Sequence, residues 1–168
     1  MMAEKETKVI GLDHSGCGVI TEAVKEILNS FPGLTETIRF EELGETSGVA
    51  FTNDAGALVL TERRSITDHV VQTCQYPFLI VCRTAGTREA QKAATARFLD
   101  QIGKWICREP VETGGTKSVL STYPKLIDGR KITKVTRSNI YGTAPNDNNS
   151  QDWLLPVVVD YTNEFELW

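Results

Sequence analysis

The stretch LDHSGCGVITEAV, residues 12–24, places Asp13, His14, Ser15 and Cys17 within five positions, among Gly11, Gly16 and Gly18. Three kinds of chemistry fit such a cluster. A thiol at a helix N-terminus with a histidine base is the making of a nucleophile. Aspartate, histidine and cysteine are also three of the ligand types that zinc takes. An aspartate or serine ahead of an apolar-periodic run is, more plainly, a helix cap that accepts hydrogen bonds from the partnerless first amides.

The spacing weighs against the first two. His14 and Cys17 are neighbours in one turn, whereas thiol enzymes bring base and nucleophile together from separate parts of the fold. No G-x-S-x-G elbow accompanies them. A metal would need a distant ligand, and the other histidine, His69, stands beside Asp68 in a strand-like run, the position of a solvent-facing or interface side chain. Gly11, Gly16, Gly18 and Gly86 match neither a dinucleotide fingerprint nor a phosphate loop. The expectation is a glycine-loosened turn into a helix, capped by Asp13 or Ser15. Any further role for Asp13 or His14 is then a contact between subunits. A small cytosolic enzyme built on Cys17 and His14 stays as the remote alternative.

Composition agrees with one soluble globular domain: 168 residues, 40% hydrophobic and 24% charged. A chain of this size buries about 70% of the surface its unfolded form exposes, so neither a disulfide nor a metal is needed to supply a core. The net charge of -4 and pI of about 5.3 argue against a surface shaped throughout for nucleic acid or anionic membrane. No stretch approaches the ~18 continuous apolar residues of a membrane helix, and MMAEKETK at the N-terminus lacks the apolar segment of a secretion signal. Cys17, Cys74, Cys82 and Cys107 are scattered, with no C-x-x-C pair, and read as small apolar residues of a cytosolic protein.

The elements that would position these residues follow from periodicity. Ile20, Ala23, Val24, Ile27, Leu28 and Phe31 recur at helical spacing until Pro32-Gly33. Strands are predicted at 37–42, 48–53 and 57–61, as a β-meander or β-rich connection. Residues 65–83 hold two strand-like runs, ITDHVVQTC and YPFLIVCR. The second is apolar on both faces, as in a central strand, with Pro77 at its beginning. A long helix is predicted over 87–108, capped by Thr87, with Ala90, Ala94, Phe98, Ile102, Trp105 and Ile106 as its apolar stripe and small alanines allowing close approach to a sheet. Strands at 118–122, 131–137 and 153–162 complete the order, with an exposed polar loop near 142–152 and a mobile N-terminus. The fold class is α+β: a largely antiparallel sheet with an N-terminal helix and a long central helix on one face.

Two features stand outside that frame. Lys117, Lys125, Arg130, Lys131, Lys134 and Arg137 face Asp128 alone in an otherwise acidic chain. They suggest a basic hairpin around Ile127-Asp128-Gly129-Arg130 that is either turned to phosphates or an acidic partner surface, or merely solvated. The ending NEFELW carries Phe165, Leu167 and Trp168, tucked into the domain's own core or offered to a neighbour.

Three segments, YPFLIVCRTAGTREAQKAATARFLDQIGKWI (76–106), LIDGRKITKV (126–135) and WLLPVVVDYTNEFE (153–166), resemble the tail terminator or minor capsid (neck) proteins of long-tailed bacteriophages and prophages. That resemblance implies a non-enzymatic virion protein without cofactor, assembled in the host cytoplasm. It implies a ring, hexameric in the family, that caps the tail tube and joins it to the neck. Its partners would be further copies of itself, the tail tube protein and neck or connector proteins, with DNA passing through the lumen. Lys125, Arg130, Lys131, Lys134, Arg137, Phe165, Leu167 and Trp168 are the interface or lumen candidates on this reading. A head-tail connector or head completion protein is the alternative within the same class. The departures from that resemblance are the DHSGCG opening and the acidic, loop-rich stretch 41–56.

Overall fold

A computed structural model describes residues 8–86 and 88–167; Met1–Thr7, Thr87 and Trp168 lie outside the described residues. In chain order the elements are β1 (Gly11–Leu12), α1 (His14–Asn29), β2 (Arg39–Phe40), β3 (Gly48–Thr52), β4 (Leu58–Arg64), β5 (His69–Ala85), α2 (Glu89–Ile106), β6 (Val111–Thr113), β7 (Thr116–Ser118), β8 (Arg130–Arg137), β9 (Tyr141–Gly142) and β10 (Ser150–Glu166). The fold is α+β, with a largely antiparallel sheet.

Its spine is the pair β5 and β10, each 17 residues long and antiparallel throughout, from Ser150 opposite Ala85 to Glu166 opposite His69. On the far side of β5 lie β4 and β3 in tandem, β4 along Val70–Gln75 and β3 along Leu79–Arg83. They do not pair with each other, so the predicted meander does not form. β2 adds to β3 in parallel, β1 adds to β4, and β8 and β9 flank β10. β6 and β7 make a separate hairpin, which takes Ser118 but leaves 119–122 outside any strand.

The two runs predicted over 65–83 are one strand, and its proline sits inside it. Ser65 to Asp68 form the hairpin turn from β4, with Asp68 at φ 61 and Ile66 fully exposed. Pro77 is tolerated because of where the outer partners stop. Its carbonyl accepts from Asn53 Nδ2, across the gap between the end of β4 at Gln75 and the start of β3 at Leu79. In a strand the N and O of one residue point the same way, so the missing N–H faces that gap and no ladder bond is lost. Pro156 on β10 repeats the device: its carbonyl accepts from the Ser138 amide at 2.9 Å, between the ends of β8 and β9.

Alternation along the spine decides which face carries the core. Tyr76, Phe78 and Ile80 of β5 lie beside Val159, Val157 and Leu155 of β10, all buried, and their sequence neighbours are only half-buried. Both helices cover that face. α1 buries the predicted stripe: Ile20, Ala23, Val24, Ile27 and Leu28, with Phe31 just past its end. Each of the larger of these side chains contributes about 1.5–3 kcal/mol when fully buried.

The predicted stripe of α2 holds in its second half, where Ile102, Trp105 and Ile106 are buried and Phe98 packs against the core, and shifts in its first half. Thr95, Leu99, Ile102, Gly103, Trp105 and Ile106 are buried, and Ala90 and Ala94 are exposed. Ala94 and Thr95 line a cleft with Val49 of β3 and Cys82 of β5. The close approach falls at Gly103, where a Cβ would stand 2.9 Å from Arg137 Cδ and 3.1 Å from Leu155 Cδ2. The cap position is occupied by Arg88, whose side chain makes no capping bond; Thr87 lies outside the described residues. Cys74 and Cys82 sit in the core, where burial raises each thiol to about 11, and Cys17 and Cys107 are half-buried.

Candidate functional site

Asp13 caps α1, accepting from the Gly16 amide at 3.0 Å through Oδ1. It also does far more than cap. Arg130, at the start of β8, donates from Nε to Oδ2 at 2.9 Å and from Nη2 to Oδ1 at 2.7 Å, a two-pronged pair. Tyr161 on β10 donates its hydroxyl to Oδ2 at 2.8 Å. Ser15 Oγ accepts from Arg130 Nη2 at 3.1 Å. One carboxylate thus joins the first helix to two strands more than a hundred residues away.

Asp13 and Arg130 have side chains only 6% and 5% exposed. Burial on its own would raise the Asp13 carboxyl, but hydrogen bonds from Arg130, Tyr161 and the Gly16 amide outweigh it and hold Asp13 below its usual range. The same hydrogen bond holds Arg130 above its usual range against desolvation. Burial, followed by the bond to Asp13, pushes Tyr161 upward. Gly16 is required here because a Cβ at that position would overlap the Asp13 carboxylate.

Both oxygens of Asp13 are taken within the chain, which gives it an internal role, and Asp13, Ser15 and Arg130 also line a cleft with His14, Gln72 and Phe165. His14 is exposed, and Cys17 is half-buried one turn into α1, its amide bonded to the Asp13 carbonyl at 3.0 Å. His69 opens β5, with Nε2 at 3.5 Å from Glu164 Oε2 on the surface. Among the described residues, no three His, Cys, Asp or Glu side chains converge as a metal site would need.

The basic segment does not form a hairpin. Residues 119–126 run without strand pairing, and β8 pairs only with β10. Its cations divide into two groups. Arg130 is buried in the centre just described, and Arg137 is bonded to Asp100 at 2.9 Å and Glu109 at 3.3 Å. The Arg137 guanidinium beside Asp100 holds that carboxyl below its usual range. Lys125, Lys131 and Lys134 are exposed and make no ion pair among the described residues. Phe165 is half-buried on β10 opposite Val70, and Leu167 is 39% exposed with its amide bonded to the Asp68 carbonyl. Trp168 lies outside the described residues.

The turn that delivers Arg130 makes a test of its own. Asp128 and Gly129 are both left-handed, at φ 60 and φ 72, and a Cβ on Gly129 would overlap the Glu164 carbonyl oxygen. Gly129→Ala is expected to cost about 1–3 kcal/mol, read as a lower urea midpoint at unchanged slope. An unchanged midpoint would show that the turn does not set the position of β8.

A cap at Asp13 or Ser15 is legible in the sequence, and the structure places it at Asp13; the pair with Arg130 is not legible there. The signal that existed was weak: one arginine with Asp128 beside it, in a run of cations of which only the fold distinguishes the inward members. No protein-family model matches the chain, and no curated protein matches it by sequence. Fold and site together define an α+β protein with a buried polar centre that ties α1, β8 and β10 together.

Proposed function

We propose that the protein is a structural assembly component of a long-tailed phage or prophage particle. It forms a ring, expected to be hexameric, that caps the tail tube and joins it to the neck. The observation that carries this reading is the contrast between centre and rim. The polar chemistry concentrated at Asp13 is consumed within the chain, and the outer edges at β2 and β8 are left without a strand partner among the described residues. Unpaired edges are templates for further copies or partner chains. The resemblance of segments 76–106, 126–135 and 153–166 to tail terminator and minor capsid proteins supports the particular assembly. Its partners on this reading are other copies, the tail tube protein and neck or connector proteins.

The test is the mass of the purified protein by light scattering, with negative-stain images of the protein alone and mixed with tail tubes. Closed rings that seat on tube ends are expected. A protein that stays monomeric in both settings would sink the proposal.

A further inference from the structure

We infer that the cleft between β8 and segment 122–126 binds a small phosphate monoester, its phosphate on the basic lining and its planar or apolar body against Tyr123. One copy of the chain suffices for this site, so it does not rest on the assembly reading.

The cleft holds about 680 Å³, within the usual range for a small-molecule site. Arg108, Lys125, Arg130 and Lys131 line it and no carboxylate does, in a chain whose net charge is -4. Their charges are not equally available. Asp13 neutralises Arg130, but Nη1 of that buried guanidinium makes no hydrogen bond among the described residues, with Asp128 Oδ2 3.9 Å away. Lys125 stands on a wall shared with a second cleft, along α1, that Glu22 and Glu26 line. Arg108 and Lys131 make no ion pair among the described residues. These two uncompensated charges match the near-dianion of a phosphate monoester at pH 7, and the Arg130 Nη1 donor adds a hydrogen bond.

Arg108 is set in place without a ligand. It donates from Nε to the Leu120 carbonyl at 3.2 Å and from Nη2 to the Ser121 carbonyl, and its guanidinium lies 5.7 Å from the centre of the Tyr123 ring. A donor already held loses little freedom on binding. Tyr123 donates its hydroxyl to the Ile106 carbonyl at 2.9 Å, which covers a helix end that would otherwise repel an anion. β8 pairs only with β10, so alternate backbone groups along its other edge face this cleft. Pro124, Leu126 and Ile132 line the cleft beside Tyr123, an apolar wall that suits an ester better than a bare phosphate ion. A nucleic-acid strand fits less well, because the one aromatic ring gives successive bases no second platform for stacking.

The test is calorimetric titration of the full chain with adenosine monophosphate, inorganic phosphate, adenosine and a short single-stranded oligonucleotide, at low and high salt. The monophosphate is expected to bind, more weakly at high salt, and phosphate or adenosine alone about tenfold more weakly or worse. Lys131→Ala should weaken the monophosphate about tenfold, the cost of one charge-assisted hydrogen bond, and Lys131→Glu further. Lys134→Ala removes an exposed cation of the same strand that does not line the cleft, and should bind like wild type. Both positions are exposed, and thermal melts establish that the variants fold.

Phosphate binding as tightly as the monoester would keep the anion site and overturn the role of the apolar wall. An oligonucleotide that binds more tightly than the monoester, and loses as much in Lys134→Ala as in Lys131→Ala, would overturn the small-ligand site in favour of a strand-binding surface. No binding of the monoester at low salt, or undiminished binding by Lys131→Glu, would overturn the site outright. Light scattering on the same samples reads assembly independently, so failure here and failure of the ring are told apart.

Discussion

Asp13→Asn is expected to lower stability by about 3–5 kcal/mol at pH 7, the cost of leaving a buried guanidinium without its carboxylate. Asparagine is as good a helix cap as aspartate, so the Gly16 bond can survive and the loss reports the Arg130 pair together with the Tyr161 bond. Asp13→Asn combined with Arg130→Met should recover much of the deficit, because the stranded charge is then gone. Asp13 is held below its unfolded value, so its contribution is complete above the ordinary carboxylate range near pH 4. That contribution is lost as the pH falls through the folded value. The gap between wild type and Asp13→Asn in urea unfolding should therefore be full at pH 7 and narrow as the solution is acidified below about pH 4. A gap constant down to pH 2 would mean that the pair does not depend on the carboxylate's charge.

Trp105→Ala should cost a similar amount, about 3–5 kcal/mol, by a different route. The indole is 7% exposed, and its Nε1 donates to the Ile27 carbonyl at 3.2 Å and to Ser30 Oγ at 3.1 Å. Its ring lies 6.1 Å from that of Phe31. One side chain thus fills the space between the helices and satisfies a carbonyl in the last turn of α1. Trp105→Phe keeps most of the apolar contact and loses the donor, so it should cost less, about 1–2 kcal/mol. Guanidinium midpoints for the two variants decide this. Equal, small losses would show that α1 and α2 are not joined through Trp105.

Local pattern was a sound guide where one element buries one regular stripe. Every apolar position assigned to α1 is buried, and the doubly apolar run YPFLIVCR is the central strand it was expected to be. The pattern misled in the first turns of α2, where Ala90 and Ala94 have the right spacing but remain exposed. It misled at Pro77 too, because the harm a proline does to a strand depends on whether an outer strand is present at that residue. β3 and β4 happen to leave a gap there.

The stretch LDHSGCGVITEAV shows the division most plainly. Residue types alone show that a helix begins there, that Asp13 or Ser15 caps it, and that the chain is α+β, because caps and periodicity are set by residues within one or two turns. Only the tertiary structure decided that Asp13 is the cap, that Arg130 and Tyr161 converge on it, and that Arg130 and Arg137 turn inward while Lys125, Lys131 and Lys134 remain at the rim. The physical reason is range. A charge's partner is set by which strands lie side by side, and β8 and β10 reach α1 only after the whole sheet is assembled.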